Sequence, residues 1–391
     1  MSFTVLVAPS GFKESLSADE AADYITSGVN RAFPGATVLK APMVDGGEGF
    51  TKALVKATGG MLHHLTVTGP VDDPVEAHFG FLGDCSEPTA VIEMAAAAGL
   101  SLVPRDRRNP CLTTSYGVGE LVHAALDRGA RRILLGCGDS GINDGGAGMA
   151  EALGIRLLDA DGSPLPRGGA ALARLASIDM TGRDRRLDRV RIDAAVNWHN
   201  LLLGERGVAR VFGPQKGATP AQVEVLAGAM ETYAVAIRHA TGVDVGAAPG
   251  AGASGGLGAA ILGLAGGRLH PRYDIVMQYL ELDRFIATAD LVITAEGSLD
   301  GQTPFGKVPA EVALRAKRMG VPVIALAGTL GKGVRLNFEH GIDAFASIIS
   351  RPCSLEDAIS SAPKLLARAA EDAARMVMVG MNLRNRLDRA A

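Results

Sequence analysis

Apolar positions along the chain fall into two recurring patterns. Short continuous apolar runs, such as Phe3–Ala8 and Arg132–Gly136, read as buried strands. Between them apolar residues recur at helical spacing. Ala22, Ile25 and Val29 share one face, and Ser17 with Glu20 forms a capping box ahead of them. Val38–Val44 reads as a second strand, less cleanly because of Pro42, and it runs into a glycine-rich loop and a helix. Late in the chain Leu291–Thr294, Val321–Ala327 and Ala344–Ile349 repeat the strand pattern, with a helix near Val308–Met319. The stretch from Leu158 to Arg191 is loop-rich, and its Arg183-Asp184-Arg185-Arg186 run reads as a solvated face.

Strands alternating with helices predict an α/β protein. The first and last strands share one character. This suggests a discontinuous Rossmann/flavodoxin-like parallel-sheet domain from residues 1–75 and 286–391. A second α/β domain is then inserted at 76–285, with a cleft between the two. The length of 391 residues agrees with more than one core.

Composition narrows the class. Hydrophobic residues make up 47% and charged residues 21%, which excludes a largely disordered chain. Aromatics reach only 4% while glycine reaches 50 residues, which fits small-residue helices joined by tight loops that expose backbone. A net charge of −3 leaves no basic footprint for nucleic acid. The four cysteines are scattered with no Cys-x-x-Cys, pointing to a reducing compartment without a disulfide or zinc framework. The N-terminus lacks a positive leader, and the longest apolar-plus-glycine stretch, Gly255 to Gly267, is too short to span a bilayer. These features predict a cytoplasmic protein with no membrane partner, and they allow a homodimer.

Candidate chemistry gathers where strand-like segments end in loops that mix glycine with acid, amide or hydroxyl groups. In open α/β sheets such carboxyl-end loops bind ligands. Lys13 follows the first strand and could meet a phosphate or carboxylate, with Ser10 and Ser15 as donors. In Asp45-Gly46-Gly47-Glu48-Gly49, two carboxylates separated by two glycines suit Mg²⁺ or a hydroxyl that must be oriented or deprotonated. Gly136, Gly138 and Gly141 match a Gly-x-Gly-x-x-Gly pattern, as do Gly250, Gly252 and Gly255. The acid-tipped second strand expected of a dinucleotide fold is missing, and Asp139, Ser140, Asn143 and Asp144 are too polar for a simple pyrophosphate turn. Neither a Walker A motif nor the protein-kinase motifs are present. Glu296, Asp300, Gln302, Thr303 and Lys307 pack two acids, an amide, a hydroxyl and a lysine into one loop, enough to hold a metal and a phosphoryl group. Lys216 sits on the rigid turn Gly213-Pro214-Gln215-Lys216-Gly217.

Together these segments resemble the bacterial class I glycerate kinases, collinearly from Val5 to about Gly328. The matching motifs include Phe12-Lys13, Asp45-Gly46-Gly47-Glu48-Gly49, Ile92-Glu93-Met94-Ala95, and Thr113-Thr114-Ser115-Tyr116-Gly117. They continue through Asn143-Asp144-Gly145-Gly146, Gly213-Pro214-Gln215-Lys216-Gly217, Gly255-Gly256-Leu257-Gly258 and Leu299-Asp300-Gly301-Gln302-Thr303. The resemblance implies a two-domain kinase that uses ATP and Mg²⁺ to phosphorylate a small hydroxy acid, glycerate, at its 2-hydroxyl. On that reading Lys13, Asp45 and Asp300 are the candidate catalytic residues, with Asp45 or Asp300 as base or orienter, and Glu48, Asp144 or Glu296 stands near the metal. Ser10, Ser15, Gly46, Gly47, Asp139, Ser140, Asn143, Lys216, Gly255, Gly256, Gln302, Thr303 and Lys307 would hold substrate or phosphate. Departures from the family pattern fall at Ser10, Asp139, His199 and Ser298. They keep open a kinase for a related sugar acid, or a sugar-acid binding protein without catalysis. The two glycine patterns leave a nicotinamide-linked oxidoreductase as the outside alternative.

Overall fold

The computed structural model describes residues 3–12, 15–44, 46–83 and 85–390. It is a mixed α/β structure with parallel sheets, divided into two compact units, Met1–Val44 with Leu280–Ala391 and Asp45–Tyr279. The boundaries differ from those expected. The segment 45–75 lies in the second unit, because Met61–Thr68 pairs along its whole length with Pro74–Phe81.

The first unit carries a five-stranded sheet in the order Ala344–Ser347, Val323–Leu330, Leu291–Leu299, Thr4–Val7, Thr37–Lys40. All neighbours run parallel. Counted along this unit the order reads 2-1-3-4-5, so the direction of winding reverses between Thr4–Val7 and Leu291–Leu299. The predicted strands are present with shifted ends. The second strand stops at Lys40, before Pro42, while Leu291–Leu299 runs five residues beyond Thr294. Val5, Leu6, Val7, Val292 and Ile293 are wholly buried, which explains their continuous apolar runs.

The helix Ala18–Ala32 begins at the predicted capping box, with the Glu20 N–H donating to Ser17 Oγ and the Ser17 N–H to the Glu20 carboxylate. Its buried face packs on the long helix Leu355–Ala390 through Ile25, Val29, Leu366 and Ala370. The two backbones meet at Gly28, where a methyl carbon would lie 2.2 Å from the Ala367 carbonyl oxygen.

The second unit carries a six-stranded sheet in the order Arg268–Pro271, Arg191–Val196, Arg132–Gly136, Thr89–Glu93, Pro74–Phe81, Met61–Thr68. The first four are mutually parallel and the last two antiparallel. The helix Pro220–Thr241 starts at a second capping box, Thr219 with Gln222. The charged run at 183–186 is more than a solvated face. Arg183 donates to the Leu264 and Ala265 carbonyls, and Arg186 bridges Asp184 and Asp127. Among the described residues no helix is long and apolar enough to cross a membrane.

Gly28→Val should destabilise the first unit by about 3 kcal/mol, because the obstructing atoms are rigid backbone. Urea unfolding of the purified variant measures this, and an unchanged midpoint would refute the close helix approach.

Candidate functional site

In the first unit, polar groups collect at the carboxyl ends of the two strands that flank the winding reversal. Ser10 follows Thr4–Val7, and both its N–H and its Oγ donate to the Ala295 carbonyl, at 2.8 and 3.1 Å. The loop after Leu291–Leu299 is organised by Asp300. Its carboxylate accepts the Gln302 N–H at 2.8 Å, and its own N–H donates to Thr303 Oγ1 at 3.0 Å. The Asp300 carbonyl accepts from the Asn337 side chain at 3.0 Å, so a buried asparagine pins the turn from behind. Lys307 then reaches back. Its ammonium lies 3.4 Å from Asp300, 3.9 Å from Glu296 and 3.1 Å from the Ser298 carbonyl. Burial alone would raise the Asp300 carboxyl, but the Gln302 amide and the Lys307 charge outweigh it and hold the group below the usual carboxylate range. The loop thus presents one partly exposed lysine on a fixed acidic mount.

Ser15 points elsewhere, its hydroxyl donating to the Ile359 carbonyl in the long helix, which makes it a fastener of that helix. Lys13 and Asp45, both expected to be catalytic, lie outside the described residues.

In the second unit the loop 46–49 lies over the end of Arg132–Gly136. A methyl carbon at Gly138 would sit 2.6 Å from the Gly47 Cα, so only glycine permits this approach. The loop's amides are tied down by carboxylates. The Glu48 N–H donates to Asp139 at 3.1 Å, and the Gly49 and Thr51 N–H groups donate to Glu93 at 3.2 and 2.7 Å. Glu93 is buried at the end of its strand and so caps the helix Phe50–Ala57 from outside that helix. The carboxylates of Glu48 and Asp139 are exposed. One oxygen of Glu48 accepts from Ser101 Oγ at 2.5 Å.

These contacts account for the first glycine pattern without a dinucleotide. Gly138 packs on the 46–47 backbone and Gly141 on Gly99 and Leu100.

Asp144 does not look outward. It is fully buried, and its two oxygens accept from the Ser115 N–H and Oγ, the Gly146 N–H and the Gly148 N–H, at 2.7 to 3.1 Å. Three of these donors converge on Oδ2 and one on Oδ1, so the carboxylate is tied into the surrounding backbone. Burial nevertheless pushes its carboxyl above the usual range. Ser115 completes the knot by accepting the Met149 N–H at 2.9 Å.

Beside this knot lies Lys216, only 2% exposed, whose ammonium donates to the Ile142 carbonyl at 2.6 Å and Ser140 Oγ at 2.9 Å. Burial pushes it down to about 7, with the Asp144 charge opposing the shift. Gly255 and Gly256, both at positive φ, bring their loop against Ile142 and Gly145.

The structure therefore gathers Asp300, Gln302, Thr303, Glu296 and Lys307 in one loop. It gathers Gly46, Gly47, Glu48 and Asp139 in a second cluster, and Ser140, Asn143, Asp144, Lys216, Gly255 and Gly256 in a third. Sequence reasoning missed Glu93 and Ser115 as organisers, although both stand inside motifs that carried the family resemblance.

The sequence profile of the glycerate kinase family matches residues 5–378. Glycerate kinase from Bacillus subtilis is 47% identical over 379 residues, covering 97% of this chain and 99% of that protein. Glycerate 2-kinase from Escherichia coli is 44% identical over 377 residues, covering 96% and 98%. A crystal structure from Salmonella typhimurium LT2, provisionally described as glycerate kinase 2, superposes with a TM-score of 0.83 at 45% identity, covering 98% of this chain and all of that one.

Lys216 yields a pH test. The unfolded lysine keeps its proton up to its ordinary value of 10.5, whereas the folded one loses it at about 7. Between those values the unfolded state carries more protons, so stability should rise with pH by up to about 1.4 kcal/mol per unit. Lys216→Met should lack this rise between pH 7 and 9 in denaturant titrations. Parallel slopes for the two proteins would contradict the buried ammonium.

Proposed function

This chain belongs to the glycerate kinase family, and on that premise we propose that it transfers the γ-phosphoryl group of ATP to the 2-hydroxyl of glycerate, with Mg²⁺, as in the class I branch. It is an enzyme, a kinase whose substrate is a small hydroxy acid. The observation that carries the site assignment is Lys307 on its Asp300 mount, at the winding reversal of a 2-1-3-4-5 parallel sheet, the flavodoxin-like order.

Phosphoryl transfer asks the protein mainly for alignment and neutralised charge. Lys307 offers a positive charge whose direction is fixed by Asp300 and the Ser298 carbonyl. Asp300, held below the usual range, is a weak base and a good orienter. That leaves Asp45 as the acid to orient or deprotonate the attacking hydroxyl, and Lys13 as a second cation for an anionic group. Gln302 and Thr303 shape the phosphate loop, and Ser10 stands beside it at the end of the neighbouring strand.

Mg²⁺ supplies charge neutralisation of the nucleotide phosphates when bound. It keeps several waters and takes one or two protein carboxylates. Glu48 and Asp139 fit that habit, since both are exposed and each spends only part of its acceptor capacity, on Ser101 and on the Glu48 amide respectively. Among the described residues no group of three or more acidic, histidine or cysteine residues stands together as a complete metal site. Glu296, 3.9 Å from Lys307, is better placed to support that lysine than to bind metal. Asp144 belongs to the scaffold.

Coupled ADP release with ATP, Mg²⁺ and a panel of hydroxy acids should give saturable turnover on D-glycerate. Lys307→Met should lose on the order of 10²-fold in kcat, and Asp300→Asn about 10-fold. The double variant should be no worse than Lys307→Met alone, because the two residues act as one unit. Near-normal turnover of Lys307→Met would remove it from the site.

A further inference from the structure

Around the Ile142–Asn143 peptide of the second unit, four buried polar atoms lack a hydrogen-bond partner. They are both amide atoms of Asn143, the Ser254 hydroxyl and the Tyr233 hydroxyl. Asn143 and Tyr233 are fully buried and Ser254 is 8% exposed. Backbone contacts bring them to one place. A methyl carbon at Gly255 would lie 2.0 Å from the Ile142 carbonyl oxygen and 3.0 Å from the Asn143 Cα. The Gly145 N–H donates to the Gly255 carbonyl at 2.9 Å, and a methyl carbon at Gly145 would lie 2.6 Å from the Tyr233 ring. The Lys216 ammonium donates to the Ile142 carbonyl and to Ser140, which leaves one of its three protons for a further acceptor.

Orphaned buried amides are costly and rare, and such groups point to an occupant. Ser254 adds a second sign. It is not glycine, yet it holds φ at +51° between Gly252 and Gly255, so a side chain is kept where the backbone disfavours one. The occupant's chemistry follows from donors and acceptors. Asn143 Nδ2, the Ser254 hydroxyl and the last Lys216 proton need acceptors, whereas Asn143 Oδ1 needs a donor. The terminal phosphoryl group of a nucleotide, fully ionised, supplies acceptors alone and would leave Oδ1 unpaired. A hydroxy carboxylate supplies both, two carboxylate oxygens and an O–H.

We propose that Asn143, Ser254 and Lys216 form the subsite that receives the carboxylate and a hydroxyl of the hydroxy-acid substrate. This rests on the kinase reading and fixes which loops of the second unit hold the acceptor molecule. On the side of Lys216 that Ser140 occupies the chain nears solvent, since Ser140 is half-buried and its neighbour Asp139 is exposed.

Calorimetric titration of D-glycerate into the full chain tests this, with glycerol and inorganic sulfate as probes, the first lacking the carboxylate and the second any O–H. Wild type should bind glycerate well above either probe. Asn143→Ala should weaken glycerate binding at least 10-fold while leaving the KM for ATP unchanged. Ser254→Gly guards against misfolding, because glycine adopts the positive φ freely. It should melt no lower than wild type yet bind glycerate several-fold more weakly. A folded Ser254→Gly and Asn143→Ala with unchanged glycerate affinity would overturn the proposal in favour of buried water. A raised KM for ATP with unchanged glycerate affinity would overturn it in favour of a phosphate site. If wild type binds glycerate without turning it over, the kinase reading fails and the same titrations still decide the subsite. Failure to bind any hydroxy acid overturns both.

Discussion

The loops of the second unit depend on one buried charge, the Asp144 carboxylate. Its four donors come from the start of the helix Tyr116–Asp127 and from the start of the helix Ala147–Ala152. Two helix N-termini converging on one anion is a favourable field, and removing the partner of a buried charge typically costs about 3–5 kcal/mol. The knot holds Asn143 and Gly145 next to the loop at Gly255, and Ser140 and Ile142 within reach of Lys216. The relative placement of those loops is therefore set by a carboxylate buried behind them.

The acids in the glycine-rich motifs therefore divide by burial. Glu93 and Asp144 are buried and spend their oxygens on backbone amides of neighbouring loops. Glu48 and Asp139 are exposed and keep capacity for a ligand. Asp139 does both, since one oxygen holds the Glu48 amide while its own carbonyl accepts the Leu100 N–H. In the first unit Asp300 plays the organising part and Lys307 the outward one. Each cluster thus pairs a reactive group with a carboxylate that sets its direction, which is how a loop gains the precision of a scaffold element.

What was legible in the sequence follows the same physics. Strands buried on both faces, such as Arg132–Gly136 and Leu291–Leu299, announced themselves as continuous apolar runs. The hairpin Met61–Thr68 with Pro74–Phe81 did not, because it carries His63, His64, Glu76 and His78 and leaves residues of both faces partly exposed. Its omission moved the domain boundary. The capping box at Ser17 and Glu20 was readable because both partners lie within four residues of each other. Glu93 and Ser115 were not, since their partners lie 42 and 29 residues away. An acid beside Asn143 and two glycines reads as a metal ligand in the sequence, whereas its burial and the donors it gathers from two loops are visible only in the structure.

Backbone strain separates the remaining loops from ordinary turns. Among the described residues the non-glycine positions with positive φ are Asp72, Asp139, Ser254 and Glu281. Two of these, Asp139 and Ser254, stand in the ligand-facing loops of the second unit, each beside glycines that could have taken the strain instead. A left-handed non-glycine residue costs roughly 1–2 kcal/mol, and such outliers persist where the side chain has work to do. At Asp139 the work is visible, a carboxylate that fixes the Glu48 amide and faces solvent. At Ser254 the hydroxyl touches no protein acceptor or donor. Strain is thus retained at Ser254 for a hydroxyl that no protein group satisfies.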